Sequence, residues 1–238
     1  MGEEFEDRDL SESVFWGVNL KGSMFRDVDL SDSTMFHVSA RKVSIDGIVE
    51  RLVVNGVDVT DHVNAHDRWY PLRAMLEPQT AEACRDAWTR VSTEWNGLVE
   101  RAAGMPGAAL LESVDGEWSF RDTLRHLVFV RDKWFAGPLL GRSRFTAFGL
   151  PNTGSRDLDW PGLDLSLEPP VEEVLAHRGR QNEEFSEWLQ TSDFSSLPPE
   201  SQVLENGAMP TMMCVHAVLE EEFEHLRYAL RDLDVLSG

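Results

Sequence analysis

The chain has 238 residues, 42% of them hydrophobic, and carries 42 acidic against 22 basic side chains for a net charge of −20. Such a balance excludes the basic surface that would displace counterions from nucleic-acid phosphates, and it disfavours an anionic membrane surface for the same reason. No apolar run approaches the roughly 18 residues needed to span a bilayer. Cys84 and Cys214 stand far apart, with no CxxC motif and no disulfide framework.

The first ten residues, MGEEFEDRDL, lack the basic start and apolar stretch of a signal peptide. The expectation is a cytoplasmic protein with reduced thiols, acting on a small-molecule substrate rather than on nucleic acid or membrane.

From there the chain is periodic. Phe5, Leu10, Phe15, Leu20, Phe25, Leu30, Met35, Ala40 and Ile45 fall at every fifth position, while serine and valine alternate two residues earlier from Ser13 to Val38. A period of five keeps large apolar groups on one side only if the chain turns a corner at each unit. The run SVFWG-VNLKG-SMFRD-VDLSD-STMFH-VSARK resembles the pentapeptide-repeat family. That resemblance implies a right-handed square β-helix of about two coils, with the apolar residues in a central column.

Ile45–Thr60 is rich in valine and isoleucine around an Asn55-Gly56 turn signal, which predicts a closing strand pair. A short helix is expected over Asp61–Tyr70. His62 and His66 within it are four residues apart and form one candidate metal pair, but no third ligand stands nearby.

Four long helices are expected beyond Pro78: Thr80–Ala103, Phe120–Leu140 with Ser119 as N-cap, Pro170–Leu189 and Thr211–Leu236. The connections over 141–169 and 191–210 are long for a simple bundle, and loops of that length commonly form lids or site walls. The expected organisation is thus a repeat segment with closing strands over 1–60, a linker with a short helix over 61–77, and a four-helix domain over 78–238.

The chemistry concentrates on the second and fourth helices. His126 flanks the apolar stripe of Phe120, Leu124 and Leu127. His225 lies at the margin of the stripe of Val215, Leu219 and Leu226, with Glu221 one turn earlier on the same side. If the two helices pack together, His126, Glu221 and His225 can surround one metal ion. Glu222 falls inside the apolar arc, where a carboxylate needs a cation, a hydrogen-bonding group or local exposure.

The segments GEWSFRDTLRHLVF at 116–129 and VLEEEFEHLRYALRDLD at 218–234 resemble the DinB/YfiT superfamily of metal-binding four-helix bundles. In that family one histidine on the second helix and an HxxxH pair on the fourth bind a divalent ion. His126 and His225 match the first and last of these, and Glu221 replaces the middle histidine. Two histidines and one carboxylate suit zinc, nickel, iron or manganese and shift preference toward harder ions.

Together the two resemblances imply an α+β chain, a short pentapeptide-repeat β-helix packed with a DinB-like four-helix bundle. They imply transfer of a low-molecular-weight thiol, of the mycothiol kind, to an electrophile, as in detoxification. On the same basis Glu222 would orient a ligand or move a proton, Arg227 would pair with a carboxylate of the thiol cofactor or substrate, and bundles would pair as a homodimer. The competing reading from the sequence is a non-enzymatic interaction module that docks through its acidic repeat segment.

Overall fold

A computed structural model of the chain describes residues 3–5, 8–25 and 28–237. Met1, Gly2, Glu6, Asp7, Arg26 and Asp27, all within the expected repeat segment, and Gly238 at the other end lie outside the described residues. The chain divides into two compact units, Met1–Gly47 and Ile48–Gly238.

In the first unit the described residues form turns rather than strands. Asp9, Asn19 and Asp29 each accept, through the side chain, the backbone N–H two residues on, at 2.8–3.0 Å. The Ser13, Ser23 and Ser33 amides then donate to the Leu10, Leu20 and Leu30 carbonyls at 3.1–3.2 Å. Glu12, Gly22, Asp32 and Lys42 follow with positive φ. A ten-residue spacing of turns is therefore superimposed on the five-residue spacing of apolar residues. The expected β-helix is not shown: each Asx turn satisfies backbone donors locally, in place of lateral strand pairing. The every-fifth residues are exposed, Phe15 and Phe25 at 61% each, so no central column is buried.

The second unit begins with a hairpin, β1 (Val53–Val54) and β2 (Val57–Asp58), paired antiparallel. Asn55 and Gly56 between them both have positive φ, as a two-residue hairpin turn requires. Two short helices follow, α1 (Thr60–His66) and α2 (Tyr70–Arg73).

The long helices are α3 (Ala81–Ala103), α4 (Phe120–Arg131), α6 (Val171–Thr191) and α7 (Thr211–Ser237). Thr80 caps α3, and Ser119 caps α4 by accepting the Asp122 N–H at 3.2 Å. Helix α4 runs on through a π turn at Asp132–Ala136 into α5 (Gly137–Leu140). Pro138 accounts for that widening, because it has no N–H for the i−4 carbonyl and its ring crowds that position.

Helix α4 packs against α6 and α7, and α3 packs against the same two, so α3 and α4 sit diagonally in a four-helix square. The core between them includes Val91 and Leu98 of α3, Leu124 and Val128 of α4, Val174 and Phe185 of α6, and Leu219 and Phe223 of α7. Every residue from Thr123 to Arg131 is buried. Helix α4 is therefore enclosed on all sides, its remaining face covered by the connection that follows α5.

The connection over 191–210 contains an antiparallel hairpin, β3 (Glu200–Val203) and β4 (Gly207–Pro210), which packs on α5 and α7. Its buried positions alternate, Ser201 and Val203, and Ser201 Oγ bonds Thr211 Oγ1 at 2.9 Å. Among the described residues no helix is long and apolar enough to cross a membrane.

Candidate metal centre

Four interactions pin the segment 146–150 along α4. The Thr146 N–H donates to Asp132 Oδ2 at 2.6 Å, and Arg125 Nε donates to the Phe148 carbonyl at 2.9 Å. The Leu150 N–H donates to the Arg125 carbonyl at 3.1 Å, and His126 Nδ1 donates to the Leu150 carbonyl at 2.8 Å. Gly149 permits this approach. A Cβ there would meet Leu163 Cδ1 at 3.2 Å and Phe129 Cβ at 3.3 Å, tighter than ordinary packing.

A carbonyl only accepts, so the bond to Leu150 fixes the proton of His126 on Nδ1 and leaves its Nε2 lone pair facing the α7 side. His225 repeats the device within its own helix: its Nδ1 donates to the Glu221 carbonyl at 2.9 Å. The Glu221 carboxylate lies between the rings, with Oε2 3.4 Å from His126 Nε2. One ring nitrogen from each histidine and a carboxylate oxygen all fall within 4.8 Å of one another. The His126 and His225 ring centroids are 4.7 Å apart, and Trp118 covers both, at 4.5 Å from His126 and 5.9 Å, stacked, from His225.

Electrostatics match that placement. Burial opposes ionisation of Glu221, but its contacts with His126 and His225 and the positive charge of Lys133 outweigh it and hold the carboxyl below its ordinary range. Burial, aided by the neighbouring His126, pushes His225 down to about 4. A neutral imidazole next to an ionised carboxylate is the protonation state that ligation requires. Among the described residues this is the one such cluster. The His62 and His66 rings lie 4.4 Å apart, tilted by 37°, and His66 Nδ1 is used by the His62 carbonyl.

The residues present therefore fit a divalent ion. They offer two imidazoles with correctly fixed tautomers, one carboxylate, and an approach from solvent through the Glu221 side chain, which is 35% exposed.

Glu222 is placed otherwise than a catalytic role would need. It is 1% exposed, and both its oxygens are taken: Oε1 by Arg131 at 2.8 Å and Oε2 by Arg178 at 2.9 Å. Arg131 lies over the rings of Trp88 and Phe185, Arg178 lies over Trp95, and Trp95 Nε1 donates to the Glu222 carbonyl at 2.9 Å. Glu222 thereby ties α7 to α4, α6 and α3, with no oxygen left for a ligand or a proton. Arg227 is not brought to the cluster either. It sits about 200° round α7 from His225, pairs with Glu224 at 2.9 Å, and rests its guanidinium 5.6 Å over the Phe223 ring.

Two wall residues escaped the sequence reading. Lys133 places its ammonium 5.2 Å over Trp134 and 5.3 Å over Trp160, within the electrostatic reach of Glu221 and of Glu205 at the β3–β4 turn. The Leu150 carbonyl is a backbone atom in an irregular segment, and no residue-type signal marks it.

A family model described as the DinB superfamily matches residues 90–229, a span that includes all three residues of the cluster. No curated protein and no solved structure matches the chain. With more than half of its length covered, the chain belongs to the DinB superfamily, whose members are metal-binding.

Proposed function

We propose that this protein is a metal-dependent enzyme that transfers a small thiol to an electrophilic substrate. The observation that carries this reading is the convergence of His126, Glu221 and His225 on one point, each imidazole oriented by a backbone carbonyl. These three residues would hold the ion. When bound, a divalent ion of the zinc, nickel, iron or manganese type would supply Lewis acidity that lowers the pKa of a thiol at the site.

The rest of the chemistry belongs to the chain. Trp118, half-buried over both imidazoles, excludes water from one side of the centre. Lys133 supplies a positive charge within electrostatic reach of Glu221, suited to an anionic group on the thiol or on the electrophile. Trp160, 4% exposed and edge-on to Phe129, forms the apolar floor on which Lys133 rests. Glu222 enters as a positioning residue, since its two arginines lock the α7 turn that carries Glu221.

The test is metal content of protein purified without a histidine tag or chelator, beside a His126→Ala/His225→Ala variant. The expected result is about one divalent ion per chain, lost in the variant, followed by conjugation of a low-molecular-weight thiol to an electrophile by the metal-loaded protein alone. A folded protein that takes up no metal after reconstitution overturns the reading.

One observation favours a second reading, a protein-interaction module. Every described residue from 3 to 46 is exposed, including Trp16 at 91% and Phe36 at 82%, and large apolar groups presented this way are characteristic of binding surfaces. A partner lost on deletion of residues 1–47, with no metal chemistry in residues 48–238, would favour it.

A further inference from the structure

We infer that the cleft between the end of α4, the segment 142–146 and α6 is a second binding site, for a small oxyanion bearing a carboxylate or phosphate group. It is a cavity of about 370 Å³, and Arg142, Arg144, Arg180, Thr146, His177 and Glu184 contribute to its walls. None of the metal-centre residues lines it. Asp132, on its α4 wall, lies about 9 Å farther along the helix from His126 and about 120° round.

In a chain of net charge −20, three arginines around one cavity need an account. The acidic groups of the wall are already committed. Glu184 receives the fork of Arg142, with one contact at 2.8 Å. Asp132 accepts from the Thr146 N–H and from Gln181 Nε2, at 2.6 and 3.2 Å. Arg144 and Arg180, by contrast, form no ion pair with any carboxylate among the described residues. Three guanidiniums against two carboxylates leave the cavity wall with an excess of positive charge.

The neutral groups are arranged for an anion as well. Arg180 Nη2 lies 3.2 Å from His177 Nδ1, and a guanidinium only donates, so Nδ1 is the acceptor and the ring proton sits on Nε2. That N–H is directed to Thr146 Oγ1 at 3.0 Å, which frees the Thr146 hydroxyl proton for a ligand.

Backbone geometry positions Arg144. Gly162 has φ +95, and a Cβ there would lie 2.9 Å from the Phe145 carbonyl and 3.4 Å from Arg144 Nε and Nη2. The guanidinium thus lies over a glycine where a side chain would displace it. The neighbouring Phe145 N–H donates to the Pro161 carbonyl at 2.8 Å. Planar guanidinium forks and a hydroxyl donor around a small cavity are the groups that recognise carboxylate and phosphate oxygens.

The experiment follows backbone amide shifts of Thr146, His177 and Arg180 by NMR at constant ionic strength. The titrants are inorganic phosphate and, separately, succinate, with chloride as the control. Saturable shifts are expected with at least one titrant and not with chloride, and the responding titrant tells phosphate from carboxylate as the preferred ligand. An Arg144→Gln/Arg180→Gln variant, changed at two exposed positions, should keep its fold by circular dichroism and lose affinity about tenfold or more. The His126→Ala/His225→Ala variant should still bind, which separates the cleft from capture of phosphate by a metal. Overturning results are absence of saturation with both titrants, unchanged affinity in the arginine variant, or loss of binding in the histidine variant.

Discussion

Glu221 and Glu222 are neighbours on α7, about 100° apart on the helix, and the bundle uses them in opposite ways. Glu222 is enclosed, with two guanidiniums on its two oxygens and three aromatic rings behind those guanidiniums. Glu221 is left part-exposed, between two imidazoles whose outer nitrogens are tied to carbonyls. The first arrangement satisfies every carboxylate oxygen within the protein and so contributes to folding. The second keeps ligand atoms near one another but not fully used, which is the condition for binding something else. A cluster held together by its own ion pairs has no coordination left to offer.

The largest expected effect separates the two glutamates by stability. Glu222→Ala leaves Arg131 and Arg178 buried without their carboxylate and should cost about 3–5 kcal/mol in chemical denaturation. A loss well under this would show that the two arginines find other partners.

Acid should act on the other glutamate's surroundings. His225 has a pKa of about 4 in the folded protein against roughly 6.5 unfolded, so the folded state binds fewer protons than the unfolded chain between those values. Stability of the metal-free protein is therefore fully present above pH 6.5 and is lost as pH falls through 4, by roughly 3 kcal/mol. Glu221, held below its ordinary range, acts with the same sign. In a His225→Gln variant that slope should flatten, and an unchanged slope would assign the acid sensitivity elsewhere.

A smaller effect is expected from the support of His126. Gly149→Ala forces the segment away from Phe129 and Leu163 and so shifts the Leu150 carbonyl. Metal affinity should fall by about tenfold with all three ligands intact, as read by competition with a chelator of known affinity. The smallest stability change belongs to Glu221→Gln, under about 1 kcal/mol, although metal retention should drop sharply. Equal destabilisation by the Glu221 and Glu222 substitutions would erase the contrast between them.

Parts of this were legible in the residue order. The i,i+4 spacing of Glu221 and His225 placed both on one side of α7, and the Ser119-x-x-Asp122 cap set the start of α4 and hence the height of His126. The position of Glu222 within an apolar arc already required a cation, a hydrogen-bonding group or local exposure. Arg131 and Arg178 were not identifiable as its partners, because they stand 91 and 44 residues away and meet Glu222 only across helix contacts. The role assigned to Glu222 from family resemblance gave way for that reason. Arg227 differs because side-chain direction on a helix follows the 3.6-residue turn, and two residues beyond His225 point nearly opposite.

The N-terminal segment shows the reverse relation. Its five-residue spacing is unmistakable in the sequence, yet spacing sets only where apolar groups recur, and the described backbone satisfies itself in local Asx turns. What the sequence alone determined is what depends on neighbours a few residues apart: the helices, their caps, the Asn55-Gly56 hairpin turn and the Glu221–His225 pair. What only the tertiary structure decided is what depends on groups brought together from distant positions. The Leu150 carbonyl behind His126, the two arginines around Glu222, Lys133 within electrostatic reach of Glu221 and the arginine-walled cleft are all of that kind. Their geometry is set by helix packing and by an irregular connection, and neither has a period that residue order reveals.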